Sequence, residues 1–124
     1  MKKIHIFYND KLIESIGVAE RLYRKISHDL ENEGKKLNFI NEKVANFEDG
    51  TSVTKTPFRN ISLGIRATHV YIDSSIMSFE NGNDLVQEVI KPCLITNSSL
   101  EFKTDENSVN KKIFFFNGHG VIDE

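Results

Sequence analysis

Two arginines three residues apart, Arg21 and Arg24, and an aromatic–amide stretch holding Phe79, Asn81 and Asn83 are the parts of this chain best suited to recognition chemistry. On a helix, residues three apart share a face, and two guanidiniums on one face can chelate a diphosphate through paired, charge-assisted bonds. Phe79 stands in the polar run SSIMSFENGN, where an exposed ring must cover a base, a partner subunit or the domain's own edge. Stacking on a base is worth roughly 1–3 kcal/mol, and the amides of Asn81 and Asn83 can read a base edge. The junction Tyr8-Asn9-Asp10 adds Asn9, because ligands of open α/β sheets gather where strands end and helices begin. A plainer reading stands beside each: a solvated helix face with Glu14 and Glu20 as partners, and a phenylalanine packed on its own domain.

Other candidate chemistry is incomplete. Asp73 ends the apolar run His69-Val70-Tyr71-Ile72, where nucleotide-hydrolysing proteins often hold a metal, but no glycine-flanked loop closing in Lys and Ser or Thr exists, and Ser74 stands where a catalytic Glu would follow. Asp73 therefore reads as a strand-end acid capping a turn. His119, in a Gly-His-Gly after the run IFFF, lacks a downstream cysteine, since Cys93 lies upstream. His5, His28, His69 and His119 offer no pair at metal-ligand spacing, so no metal site and no cofactor are expected.

These residues need elements to hold them. Alternation at Ile4, Ile6 and Tyr8 predicts a strand over 3–8. Asn9 or Asp10 can cap the helix that follows. Leu12, Ile16, Ala19, Leu22, Tyr23, Ile26 and Leu30 recur at helical spacing from about 11 to 32, with Gly34 as the stop. Strands are expected at 37–40 and 44–47, then an Asp49-Gly50 turn into a strand over 51–56 closed by Pro57. Residues 69–73 read as a buried strand. A second helix runs from a cap at Asn83 or Asp84 through Ile90 to Pro92, and residues 100–103 and 112–116 read as a closing hairpin. The expectation is a single α/β domain over 1–124, with α+β as the variant: a mixed β-sheet carrying about two helices.

With 124 residues, a net charge of -2 and a pI near 6.1, the chain has the composition of one globular domain and no general affinity for polyanions, which argues against nucleic acid as a partner. One cysteine suits a reducing compartment, and no run approaches the 18 or so apolar residues of a membrane span. A cytoplasmic location is expected. The abundance of Lys, Ile and Asn suggests AT-rich coding, as in low-GC Firmicutes and their phages.

Two resemblances bear on function. FEDGT at 47–51 followed by SLGIRATHVYID at 62–73 resembles a segment of the ATPase of phage terminase large subunits, over perhaps half the chain. That likeness implies a degenerate fragment kept as a nucleic-acid- or protein-binding module. In length, architecture and general character, with arginines on one helix and an aromatic–amide loop, the chain is similar to the phage Thoeris anti-defence family. That resemblance implies a homo-oligomeric, non-enzymatic sponge that sequesters cyclic ADP-ribose isomers made by TIR-domain enzymes in the host cytoplasm. It would place the base at Phe79, Asn81 and Asn83, and the phosphates at Arg21, Arg24 and Arg66. No arginine follows Arg66, so a phosphate contact from the C-terminal half would fall to Lys103, Lys111 or Lys112.

Overall fold

The computed structural model describes residues 1–61, 66–90 and 113–121. β1 (Lys3–Tyr8) leads into α1 (Ile13–Asn32), then β2 (Leu37–Ile40), β3 (Val44–Phe47) and β4 (Ser52–Pro57). β5 (His69–Asp73) follows, then a short α2 (Gly82–Asp84) that continues as one π-helical stretch, Leu85–Ile90, and last β6 (Ile113–Asn117) and β7 (Gly120–Val121). The strands form one mixed seven-stranded sheet in the order β2-β3-β4-β1-β5-β6-β7. β4, β1, β5 and β6 run parallel, while β2, β3 and β7 are antiparallel to their neighbours. The fold is α/β, as the sequence pattern implied.

Side-chain alternation feeds two cores. Ile4, Ile6, Val53, Phe47 and Phe116 point to the face covered by α1, where Val18, Ala19, Tyr23 and Leu30 meet them. Phe7, Val70, Ile72 and Ile113 point to the other face, under Phe58, Ile76, Val86 and Ile90. Central strands buried on both sides are what a parallel sheet demands.

Several boundaries differ from expectation for local reasons. Neither Asn9 nor Asp10 caps α1. Leu12 holds the cap position without a side-chain bond, while Asn9 Oδ1 accepts the Lys11 N–H at 3.0 Å and its carbonyl accepts the Leu12 N–H at 3.1 Å. The asparagine is spent turning the chain off the sheet. At the far end, Gly34 (φ +98°) donates to the Glu31 carbonyl and Lys35 to the Leu30 carbonyl, the double closure that stops a helix at glycine. α2 begins at Gly82, ahead of the expected caps at Asn83 or Asp84, and Asn81 precedes it with no side-chain cap bond. Its start is fixed by packing, because a Cβ on Gly82 would lie 1.7 Å from the Ile76 carbonyl oxygen. The antiparallel partner of β6 is β7. The expected partner at 100–103, Pro92, and Lys103, Lys111 and Lys112 lie outside the described residues.

Candidate functional site

Four parallel strands place their carboxyl ends along one edge of the sheet. From β1 the chain reaches β4 on one side, and β5 then lies on the other side of β1, so the order of connection reverses beside β1. Open α/β sheets bind ligands where such a reversal opens a crevice. Between β1 and β5 that crevice is tied shut: Asn9 Nδ2 donates to Ser75 Oγ at 3.1 Å, and the buried Asp73 accepts the Ser75 N–H at 2.8 Å. Between β1 and β4 it is open.

There, a cavity of about 170 Å³ is lined by Tyr8, Lys43, Lys55, Thr56, Pro57, Arg59 and Asn60. The parallel register sets Tyr8 beside Pro57, so the last residues of both strands frame one opening. Lys55 faces α1, its side chain only 13 % exposed, with Nζ bonded to Glu20 Oε2 and 5.1 Å from the centre of the Tyr23 ring. Glu20 also accepts from Arg24 Nε at 2.9 Å. The Lys55 bond first, then the Arg24 bond, hold the Glu20 carboxyl below its ordinary value. On the opposite rim Arg59 Nε donates to Asp10 Oδ2 at 2.7 Å. Lys43 has no ion pair among the described residues. Burial, followed by the Asp10 carboxylate, pushes the Tyr8 phenol up, so at neutral pH it is a hydroxyl donor. Cations plus a neutral donor around a concavity are anion-binding chemistry.

The residues singled out from sequence are distributed over several places. Arg24 does not line this cleft but shares the Glu20 carboxylate with Lys55, which does. Arg21 does neither; it lies back toward Gly17 and lines a second concavity of about 180 Å³ with Val18, Leu22, Lys25, His119 and Gly120. The two guanidiniums therefore do not converge, because Glu20 draws Arg24 to one flank of α1 while Gly17 leaves Arg21 room on the other. Asn9 is buried, with both amide atoms bonded within the chain. Arg66 sits exposed just before β5, at the amino end of the parallel strands. Its backbone hydrogen-bonds the ring of His5, a group that burial holds below the ordinary histidine range. Asn81 and Asn83 are exposed around the start of α2. Phe79, 37 % exposed, meets Phe58 edge to face at 5.4 Å between centroids, and so supports the turn carrying Arg59. His119 is an exposed residue of the β6–β7 turn.

Sequence reasoning passed over Lys43, Lys55 and Arg59. Their only local signal is positive charge: Lys43 meets Lys55 through the antiparallel pairing of β3 with β4, and the parallel pairing of β4 with β1 brings Tyr8 to them from about fifty positions away. Among the described residues no group of three or more His, Cys, Asp and Glu could hold a metal ion, and no helix is long and apolar enough to cross a membrane. No family model, curated protein or solved structure matches this chain.

Proposed function

We propose that the chain is a non-enzymatic binding protein that captures a cyclic ADP-ribose-type nucleotide by its phosphates, at the cleft between the carboxyl ends of β1 and β4. The observation that carries this reading is the gathering of Lys43, Lys55, Arg59 and the Tyr8 hydroxyl around one concavity. Glu20 and Asp10 already hold two of those cations in place, and they are the anions a phosphate would replace or join. The ligand class comes from the anti-defence resemblance, and with it the role of withdrawing an immune signal from its receptor. At about 170 Å³ the cleft suits phosphate groups rather than a whole nucleotide, for which pockets of about 300 Å³ or more are usual. The nucleoside part then lies outside it, toward Arg24 or toward the Phe58–Phe79 pair.

Isothermal titration with a cyclic ADP-ribose isomer, ADP-ribose, inorganic pyrophosphate and duplex DNA tests the reading. A hydrogen bond to a charged group is worth about 1.5–3 kcal/mol and each tenfold in affinity about 1.4 kcal/mol. Lys55→Ala and Arg59→Ala should therefore each weaken nucleotide binding by about ten- to a hundredfold, and the ligand should return intact after heat denaturation of the protein. Recovery of a cleaved product sinks the proposal. So does a loss of affinity that follows Arg21→Ala and spares both cleft variants, and so does a steeply salt-dependent affinity for DNA alone, which belongs to the terminase-like alternative.

A further inference from the structure

We infer that β2 is a self-association edge, and that two copies of this chain pair antiparallel through it to extend the sheet across a two-fold axis. β2 ends the strand order, so among the described residues one side of its backbone has no strand against it. Such an edge is a template for another chain unless charge, proline or irregularity blunts it. The sequence Leu37-Asn38-Phe39-Ile40 holds no charge and no proline, and Phe39 and Ile40 are 50 % and 48 % exposed.

The hydrogen bonds fix which groups face outward. The Asn41 N–H reaches the Val44 carbonyl, and the Lys36 carbonyl receives the Glu48 N–H, so residues 41 and 36 face β3. Backbone groups alternate along a strand; Ile40 and Leu37 therefore face away from β3. They stand three apart rather than two because the register shifts between Leu37 and Phe39. In a single strand that irregularity spoils pairing with a regular partner. A second copy carries the same irregularity, and opposite itself the spacing matches: Leu37 faces Ile40 of the second copy and Ile40 faces its Leu37, with an equal pair of residues between on each strand.

Side chains agree with this register. Leu37 and Ile40 lie opposite Phe47 and Ala45, both of which point to the α1 face, so the two cross-copy pairs are apolar on that face. Phe39 falls on the other face, one from each copy beside the axis. At the flanks the register sets Lys35, which its own chain pairs with Asp49 at 2.7 Å, opposite Glu42 of the second copy. Among the described residues the sheet's other end is the two-residue β7. Pairing through β2 thus consumes the long edge and closes as a dimer instead of growing. A contact of this length lies at the small end of protein interfaces, so it is a reversible, concentration-dependent association.

Sedimentation equilibrium of the whole chain tests this. The mass should rise with concentration from 14.2 kDa toward twice that value, and amide exchange at Leu37 and Ile40 should slow in parallel. The double variant Phe39→Lys with Ile40→Lys, both at exposed positions, should stay monomeric and folded, while Met77→Lys, at an exposed apolar residue elsewhere, should associate as the parent does. A mass of 14.2 kDa at every concentration overturns the inference, as does a dimer that survives the double variant or one that Met77→Lys abolishes.

Discussion

At Glu20 one carboxylate serves two cations that arrive from different distances. Arg24 lies one helical turn along, a pairing any helix offers. Lys55 lies 35 residues away on β4 and reaches the carboxylate only because the sheet folds under α1. Both hold the carboxyl below its ordinary value of 4.5, the Lys55 bond contributing most. The sign follows from linkage: an acid whose folded value is depressed adds stability above the unfolded value, and that stability is lost as pH falls through the folded one. Glu20 is more than a third exposed, so solvent screening limits the contribution to about 1 kcal/mol or less. Glu20→Gln should accordingly be less stable than the parent at pH 7 in urea, with the gap closing below about pH 4.5. A gap of the same size at pH 3 would show that the side chain acts through packing instead. The same substitution also frees Lys55 and Arg24, so it should raise the affinity of the cleft for pyrophosphate.

Elements are held by different physics at their two kinds of glycine. Gly34 stops α1 with φ at +98°, and nothing lies within 4 Å of a Cβ added there. Alanine at that position meets no neighbour but strains its own backbone at positive φ, and should cost about 1–2 kcal/mol. Gly82 has an ordinary helical backbone, yet a Cβ there would meet the Ile76 carbonyl, so alanine must push α2 off the turn after β5 at a cost of about 1–3 kcal/mol. Thermal unfolding of the two variants separates the causes: Gly34→Asn, which tolerates positive φ, should recover part of the loss, whereas no small side chain should rescue Gly82. How much of this was legible divides along the same line. The ranges of β1, β2, β3 and β5 follow from alternation and turn residues, and Gly34 announced its helix end. The start of α2 did not, because the contact that selects Gly82 comes from another segment. The cleft did not either: Tyr8 was visible at its strand end, but Lys55 and Arg59 join it through parallel pairing, which leaves no periodic mark in either strand. Arg21 and Arg24 show the reverse error, since helical spacing says that two side chains can meet and is silent on the neighbours that part them.

Across the whole molecule, the sheet is a wall between two apolar layers, and the cleft draws on both. Lys55 enters it from the α1 side, next to Tyr23, while Arg59 stands on a turn anchored by Phe58 in the opposite layer. The site therefore exists only if the two layers fold as one body. β1 is the joint, with Ile4 and Ile6 in one core and Phe7 in the other. Phe7 and Phe116 are both fully buried, one on each side, and truncating either to alanine should cost about 3–5 kcal/mol. Against a total of about 5–15 kcal/mol for a natural domain, either loss is large. If the layers are one cooperative unit, each variant shifts a single urea transition to lower midpoint with its slope unchanged, and circular dichroism and tyrosine fluorescence report the same curve. The proposed binding at the cleft should then disappear along that curve in both variants. Two separated transitions in Phe7→Ala, with the α1 layer persisting after the other has melted, would mean that the sheet does not couple its faces, and a cleft built from both would have no fixed shape.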